Sequence, residues 1–220
     1  MADAGRRRLQ GIASMSRRLL IILGLLAVVF AVLTGLAVRR GILSSRPSVE
    51  QTAAVGGPFQ LVDQAGRSVD QGVLKGKWSA VFFGYTFCPD ACPTTMFALG
   101  QAEKLLGADA DRFQTVFISV DPARDTPARL ASFLATDAFP KRALGLTGTP
   151  EQVDRAAKAY HVYYQKAGEG TAYAVNHSTV TYLMTPKGRF ACVIAYDAKP
   201  EEIVAKVRAA MAQGSSAQSC

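Results

Sequence analysis

Two cysteines four residues apart are the first groups in this 220-residue chain that could do chemistry. Cys88 and Cys92 lie in the segment CPDACP, and four residues make about one helical turn, so both sulfurs can point the same way. A thiolate attacks disulfides and also binds metal ions. The pair therefore predicts a metal site, a redox-active dithiol or a static disulfide, and the spacing alone does not separate the three.

A metal held by two sulfurs needs at least one further ligand, and the chain offers two histidines. His177 lies in the polar stretch VNHST, where a loop side chain can reach a neighbouring strand end. His161 follows a predicted helix and begins an apolar run, which is typical of an ordinary boundary histidine. His177 is therefore the candidate third ligand.

The elements around the cysteines place them at a strand end. Residues 78–85 (WSAVFFGY) form a continuous apolar run, which predicts a strand covered on both faces. Proline is favoured in the first helical turn, so Pro93 predicts a helix that runs to about Leu106. The cysteine pair thus lies between a strand and a helix, where the positive end of the helix dipole favours thiolate over thiol.

Strands and helices alternate along the rest of the body. The sequence predicts a strand at 112–120, helices at 127–135 and at about 150–160, a strand at 161–166, a hairpin of 178–184 with 189–196, and a last helix at 200–212. This order predicts an α/β class with a central mixed sheet. In such sheets ligands bind at the carboxyl ends of strands, which is where the cysteine pair falls.

An uncharged run of twenty residues, 19–38, precedes the body and has arginine pairs on both sides. A helix of that length spans roughly 30 Å, the thickness of the hydrocarbon core of a bilayer. The run is longer than the apolar part of most cleavable signals, so we interpret it as a retained transmembrane anchor. Five arginines before it and three after it predict an N-terminus in the cytoplasm and a body across the membrane.

These features predict five parts of the chain, which are a basic cytoplasmic N-terminus (1–18), a transmembrane anchor (19–38), a tether (39–57), a globular domain (58–214) and a flexible tail (215–220). The expected location is a bacterial-type inner membrane, crossed once, with the C-terminal domain in the periplasm. The formal net charge is +8, but +7 of it lies in the first 46 residues. The nearly neutral body argues against a nucleic-acid partner.

Four segments resemble, in order, the Sco/SenC family of membrane-anchored copper proteins that serve cytochrome c oxidase assembly. They are 83–95 (FGYTFCPDACPTT), 119–127 (SVDPARDTP), 145–150 (GLTGTP) and 177–183 (HSTVTYL). The resemblance covers about residues 58–211 and implies a thioredoxin-like fold. It also implies that Cys88, Cys92 and His177 bind copper as Cu(I) or Cu(II). Soft thiolates favour Cu(I) and imidazole suits Cu(II), which agrees with that donor set.

The resemblance implies a copper chaperone rather than an enzyme, with the copper-bearing subunit of cytochrome c oxidase as its partner. Another periplasmic copper chaperone or a thiol reductant is a further expected partner. The alternative is a thiol–disulfide oxidoreductase that reduces partner cysteines with Cys88 and Cys92 as its redox-active pair. The CxxxC spacing, where CxxC is the usual redox motif, argues modestly against it. A peroxidase of related fold is weaker still, because no peroxide-site motif accompanies the cysteines.

Five other residues carry expectations that a structure can test. The family commonly has Asp before the histidine, and Asn176 here predicts weaker support of the imidazole. Asp125 or Thr126 is expected to cap the helix that follows. Cys192, inside an apolar strand, is expected to be a buried small hydrophobe, and Cys220 to be frayed in the flexible tail.

Overall fold

The computed structural model describes residues 19–36, 55–217 and 219–220 of the chain. It divides into two compact units, residues 1–52 and 53–220, and each is described by itself. The predictions made for residues 1–18, and for the part of the tether up to residue 54, lie outside the described residues.

Helix α1 (Leu19–Leu36) is the described part of the first unit. Its 18 residues have a mean hydropathy of 3.0 and are exposed along their whole length. At 1.5 Å per residue the helix is roughly 27 Å long, close to the thickness of the bilayer core. The predicted apolar helix is therefore present, and it is long and apolar enough to cross a membrane. A signal sequence would have the same properties, so retention of the anchor stays a prediction.

The second unit is built on a seven-stranded sheet with the order β2-β1-β5-β4-β3-β8-β9. Its strands are β1 (Gln60–Asp63), β2 (Ser68–Asp70), β3 (Trp78–Gly84), β4 (Phe113–Ser119), β5 (Ala143–Thr147), β8 (Thr181–Met184) and β9 (Phe190–Ile194). Strands β3, β4 and β5 are parallel, whereas β1 and β8 join them antiparallel. Every residue of β3 is buried, as expected of a central strand covered on both faces. The predicted mixed sheet is confirmed.

Two further strands, β6 (Tyr164–Ala167) and β7 (Ala174–His177), form a separate antiparallel pair. They are not hydrogen-bonded as strands to the seven-stranded sheet. We call this pair the β6–β7 hairpin. It carries the candidate histidine at the end of its second strand.

The four helices of this unit are α2 (Ala91–Leu106), α3 (Pro127–Leu134), α4 (Pro150–Ala159) and α5 (Pro200–Gln213). The last three begin with proline, whose fixed φ suits the first turn. The Thr149 side chain accepts from the Gln152 N–H, and the Gln152 side chain accepts from the Thr149 N–H, a capping box that starts α4. Helix α2 packs beside α5.

The structure corrects several predicted boundaries. Helix α2 begins at Ala91, two residues before Pro93, so Cys92 lies in its first turn. The strand predicted at 161–166 begins only at Tyr164, because His161 takes a left-handed φ of 55° just after α4. Strands β1, β2, β5 and β7 were not predicted, since they are three to five residues long and lack a clear alternating pattern.

The C-terminal cysteines differ from expectation. Cys192 of β9 forms a disulfide with Cys220, with the two Cα atoms 5.9 Å apart. The expectations that Cys192 is only a buried small hydrophobe and that Cys220 is frayed were therefore wrong. The segment before Cys220 is also attached, since Ala217 is buried and the Arg189 guanidinium donates to the Ser215 carbonyl. Which cysteines pair cannot be deduced from a sequence alone.

Candidate metal centre

Three elements bring the candidate ligands together. Cys88 lies in the loop between β3 and α2, Cys92 lies in the first turn of α2, and His177 ends β7. Their two sulfurs and one ring nitrogen lie within 4.8 Å of one another. Side chains 85 residues apart in the chain thus meet at one point.

Main-chain groups fix the positions of the two sulfurs. The Tyr85 N–H donates to the sulfur of Cys92, and the Cys92 N–H donates to the sulfur of Cys88, both at 3.4 Å. Gly84, at the end of β3, allows Cys92 to approach, because a Cβ there would lie 2.7 Å from its sulfur. Neither Cys88 nor Cys92 forms a disulfide in this structure. The Tyr85 N–H and Gly84, at the end of β3, therefore form a fitted position for the fully buried Cys92 sulfur, which we call its seat.

The two thiols have opposite pKa shifts. A hydrogen bond from the Cys92 thiol, aided by the backbone N–H groups of Cys92 and Asp90, lowers the pKa of Cys88 to about 4 despite its partial burial. Burial raises the pKa of Cys92 well above its usual range, and the neighbouring Cys88 sulfur raises it further. The metal-free site therefore holds a thiolate at Cys88 and a thiol at Cys92. Binding a metal through both sulfurs releases the Cys92 proton.

The reactivity of Cys88 is expected to report this arrangement. Its pKa of about 4 means that the thiolate forms as the pH rises through 4, so alkylation by iodoacetamide should be nearly independent of pH from 6 to 9 and fall below about 4. An ordinary thiol would react about tenfold faster per pH unit up to about 8.5. Peptide mass spectrometry measures the rate, and Cys92→Ala, which removes the donor, should restore a steep pH dependence. A steep dependence in the wild-type protein would contradict the thiolate assignment.

The ring of His177 is oriented by its surroundings. Its Nδ1 lies 2.9 Å from the carbonyl oxygen of Ser178. Because a carbonyl only accepts, Nδ1 donates to it, and Nε2, the other ring nitrogen, lies 3.5 Å from the sulfur of Cys92. The rings of Tyr85 and Phe82 contact the imidazole edge-on, with centroids at 5.7 and 6.1 Å. The carbonyl of Ser178 therefore orients the imidazole, a role that the side chain of residue 176 was expected to share. Asn176 itself is exposed.

One of the two residues expected to cap α3 does so. Thr126 caps α3, as its side chain accepts from the Arg129 N–H, whereas Asp125 points inward and is fully buried. Its carboxylate accepts from the N–H and the hydroxyl of Thr86, at 3.0 and 2.7 Å, and from the Ser119 hydroxyl at 2.6 Å. Asp125 therefore fastens the loop that leads to Cys88. Sequence reasoning missed this role, because a helix cap already explained an acid before Thr-Pro.

The donor set and the spacing fit one soft metal ion. With bonds of about 2.3 Å to sulfur and 2.0 Å to nitrogen, as in zinc sites, three ligands in a plane stand roughly 3.7–4.0 Å apart. The three atoms here already lie within 4.8 Å. Two thiolates with one imidazole are soft enough for Cu(I) and also suit Cu(II).

Comparisons with known proteins agree with this geometry. Residues 47–212 match the model of the SCO1/SenC family. Protein SenC of Rhodobacter capsulatus is 45% identical over 157 residues, which is 71% of this chain and 70% of that relative.

Solved structures extend the likeness to three dimensions. Bradyrhizobium japonicum ScoI with copper bound is 42% identical, with a TM-score of 0.64 over 69% of this chain and 96% of that one. BsSco, described as a member of the Sco family of cytochrome c oxidase assembly proteins, is 24% identical, with a TM-score of 0.55 over 72% of this chain and 94% of that one. The second likeness concerns the fold alone. The predicted thioredoxin-like fold is confirmed.

Proposed function

Because the chain belongs to the SCO1/SenC family, we propose that it is a copper chaperone that binds copper through Cys88, Cys92 and His177. The observation that carries this proposal is the convergence of two sulfurs and a ring nitrogen within 4.8 Å. The copper in the structure of a relative 42% identical supports the choice of metal. The seat at Gly84 and the carbonyl that orients His177 prepare the ligands before any metal arrives.

The acceptor in this proposal is the copper-bearing subunit of cytochrome c oxidase, whose dinuclear copper centre the protein helps to assemble. Helix α1 would hold the protein at a bacterial-type inner membrane, with the copper domain on the periplasmic side. A partly exposed Cys88 thiolate suits transfer, because an incoming thiolate can displace it while the buried Cys92 still holds the ion. Another periplasmic copper chaperone or a thiol reductant would load or reset the site.

Cells that lack this protein are expected to lose most cytochrome c oxidase activity and to regain it when copper is added to the medium. Excess copper replaces a delivery protein by mass action but does not replace a reductant. Oxidase activity is measured in membranes at increasing copper concentrations, with wild-type and Cys88→Ser genes supplied as matched controls. An oxidase defect that no copper concentration relieves would contradict the delivery role.

The second candidate is a thiol–disulfide oxidoreductase that reduces the cysteines of the same acceptor. The thiolate at Cys88 favours it, since a low-pKa thiolate that is partly exposed is the attacking group in disulfide exchange. The two candidates separate at His177. Delivery of Cu(II) requires the imidazole, whereas exchange needs the dithiol alone, so loss of oxidase rescue in His177→Ala would favour delivery over exchange.

A further inference from the structure

Side chains contribute to the position of His177 relative to the two cysteines. The cysteines follow β3 of the seven-stranded sheet, but His177 belongs to the β6–β7 hairpin, which shares no strand pairing with that sheet. At the His177 end, the hairpin is closed by Ser178, whose N–H donates to the Tyr163 carbonyl and whose hydroxyl accepts from the Tyr163 N–H. These bonds lie within the hairpin and its flank, so they do not fix its distance from β3.

Arg124, in the loop after β4, contacts the other end of β7. Its Nη1 donates to the carbonyl oxygens of Tyr173 and Thr171, at 3.0 and 3.3 Å, and its guanidinium lies 3.6 Å from the centroid of the Tyr173 ring. The Tyr173 hydroxyl donates to one oxygen of Asp121, while the other oxygen accepts from Nε of Arg124. Two carbonyls, one aromatic ring and one carboxylate thus surround the Arg124 guanidinium, and the side chain is only 15% exposed.

The same guanidinium faces the cysteine side of the site. It lies 4.7 Å from the ring centroid of Phe87, the residue before Cys88, and 5.8 Å from that of Tyr85, whose ring also contacts His177. One side chain therefore touches the loop that carries Cys88 and the segment that leads into the strand of His177. A lysine could not make these contacts together, because its ammonium lacks the planar fork.

We propose that Arg124 is a positioning residue that holds the His177 hairpin against the cysteine loop and so selects which oxidation state of copper the site retains. The inference rests on the proposed function. Two thiolates alone can hold Cu(I), but Cu(II) depends on the imidazole nitrogen. Loosening the hairpin should therefore weaken Cu(II) binding far more than Cu(I) binding.

The test uses the full-length protein in detergent, with Arg124→Gln and Arg124→Lys as variants. Arg129→Gln is the matched control, because Arg129 also stacks on Phe87, at 4.6 Å, and donates to the Thr86 hydroxyl on the cysteine side. Competition with chelators measures the Cu(I) and Cu(II) affinities. The sulfur-to-Cu(II) charge-transfer band and the nitrogen couplings in the EPR spectrum report whether the imidazole is bound.

Both Arg124 variants are expected to bind Cu(II) roughly 10–100-fold more weakly, the usual cost of losing an outer support of a ligand, with weaker nitrogen couplings. Their Cu(I) affinity should change by less than about threefold, since both thiolates remain. Arg129→Gln should resemble the wild type. Equal losses of Cu(I) and Cu(II) affinity, together with a lower melting temperature, would show that Arg124 is only a structural residue and would overturn the proposal. Unchanged affinities for both ions would overturn it as well.

Hydrogen exchange of the metal-free protein separates this inference from the proposed function. Without Arg124, the amides of β7 should exchange roughly tenfold faster, because charged hydrogen bonds to two carbonyls of the hairpin are lost. The β3 amides should be unchanged, and Arg129→Gln should leave β7 protected. If wild-type protein bound no copper, the proposed function would fail, yet this measurement would still decide whether Arg124 fixes the hairpin.

Discussion

Cys92→Ser is expected to reduce the Cu(I) affinity by well over about 100-fold, because it removes a ligand itself. Removing a residue that only supports a ligand usually costs roughly 10–100-fold. A serine hydroxyl is a hard donor and stays protonated at neutral pH, so it does not replace a thiolate. The seat for the Cys92 sulfur, formed by the Tyr85 N–H and Gly84, would hold that hydroxyl in the place of the second sulfur. Competition of the reduced full-length protein with a chromophoric Cu(I) chelator measures the loss.

His177→Ala and a cysteine control make this prediction specific. His177→Ala should abolish the Cu(II) spectrum while Cu(I) binding falls much less, since both thiolates remain. Replacing Cys192 and Cys220 together by serine should leave one bound copper per chain, because that disulfide shares no residue with the site. Copper retained by Cys92→Ser, or a wild-type Cu(II) spectrum in His177→Ala, would refute the ligand assignment.

Oxidation should act on the wild-type protein as Cys92→Ser does. A disulfide between Cys88 and Cys92 leaves no thiolate, so oxidised protein is expected to bind no copper until a reductant is added. Loss of copper on oxidation, with full recovery on reduction, would also show that the two sulfurs can reach each other. Equal loading of both redox states would contradict a site built on these thiolates.

The cysteine half of the site could be predicted because its signals are local. The apolar run that becomes β3 places a strand just before Cys88, and the prolines nearby mark the start of a helix. Both signals concern neighbours in the chain, where backbone preferences decide the outcome. The boundary error at Ala91 is small, yet it matters, since it brings Cys92 into the first turn of the helix.

The histidine half could not be derived from local signals. Strand β7 has four residues with one buried among them, so no period of two is visible, and its partner β6 is equally short. The contacts that hold this hairpin include those of Arg124, about 50 residues earlier in the chain, and spacing does not reveal them. The polar stretch around His177 made it the candidate ligand, and only the family resemblance implied that it binds copper with the two cysteines. The inward turn of Asp125 was hidden for the same reason, because Thr86 and Ser119 approach it only after folding.

Removing the Cys192–Cys220 disulfide is expected to destabilise the domain without affecting copper. The two residues are 28 apart, and closing a loop of that size restricts the unfolded chain enough to stabilise the folded state by roughly 3.5 kcal/mol. For a domain of this length that is a fall in melting temperature of about 10 °C. Thermal unfolding of the double serine variant measures it, and the wild-type protein treated with a strong reductant should show the same fall. An unchanged melting temperature in the variant, with copper still bound, would contradict the loop-closure argument. The contacts of Ala217 and Arg189 would then be enough to hold the C-terminus without the disulfide.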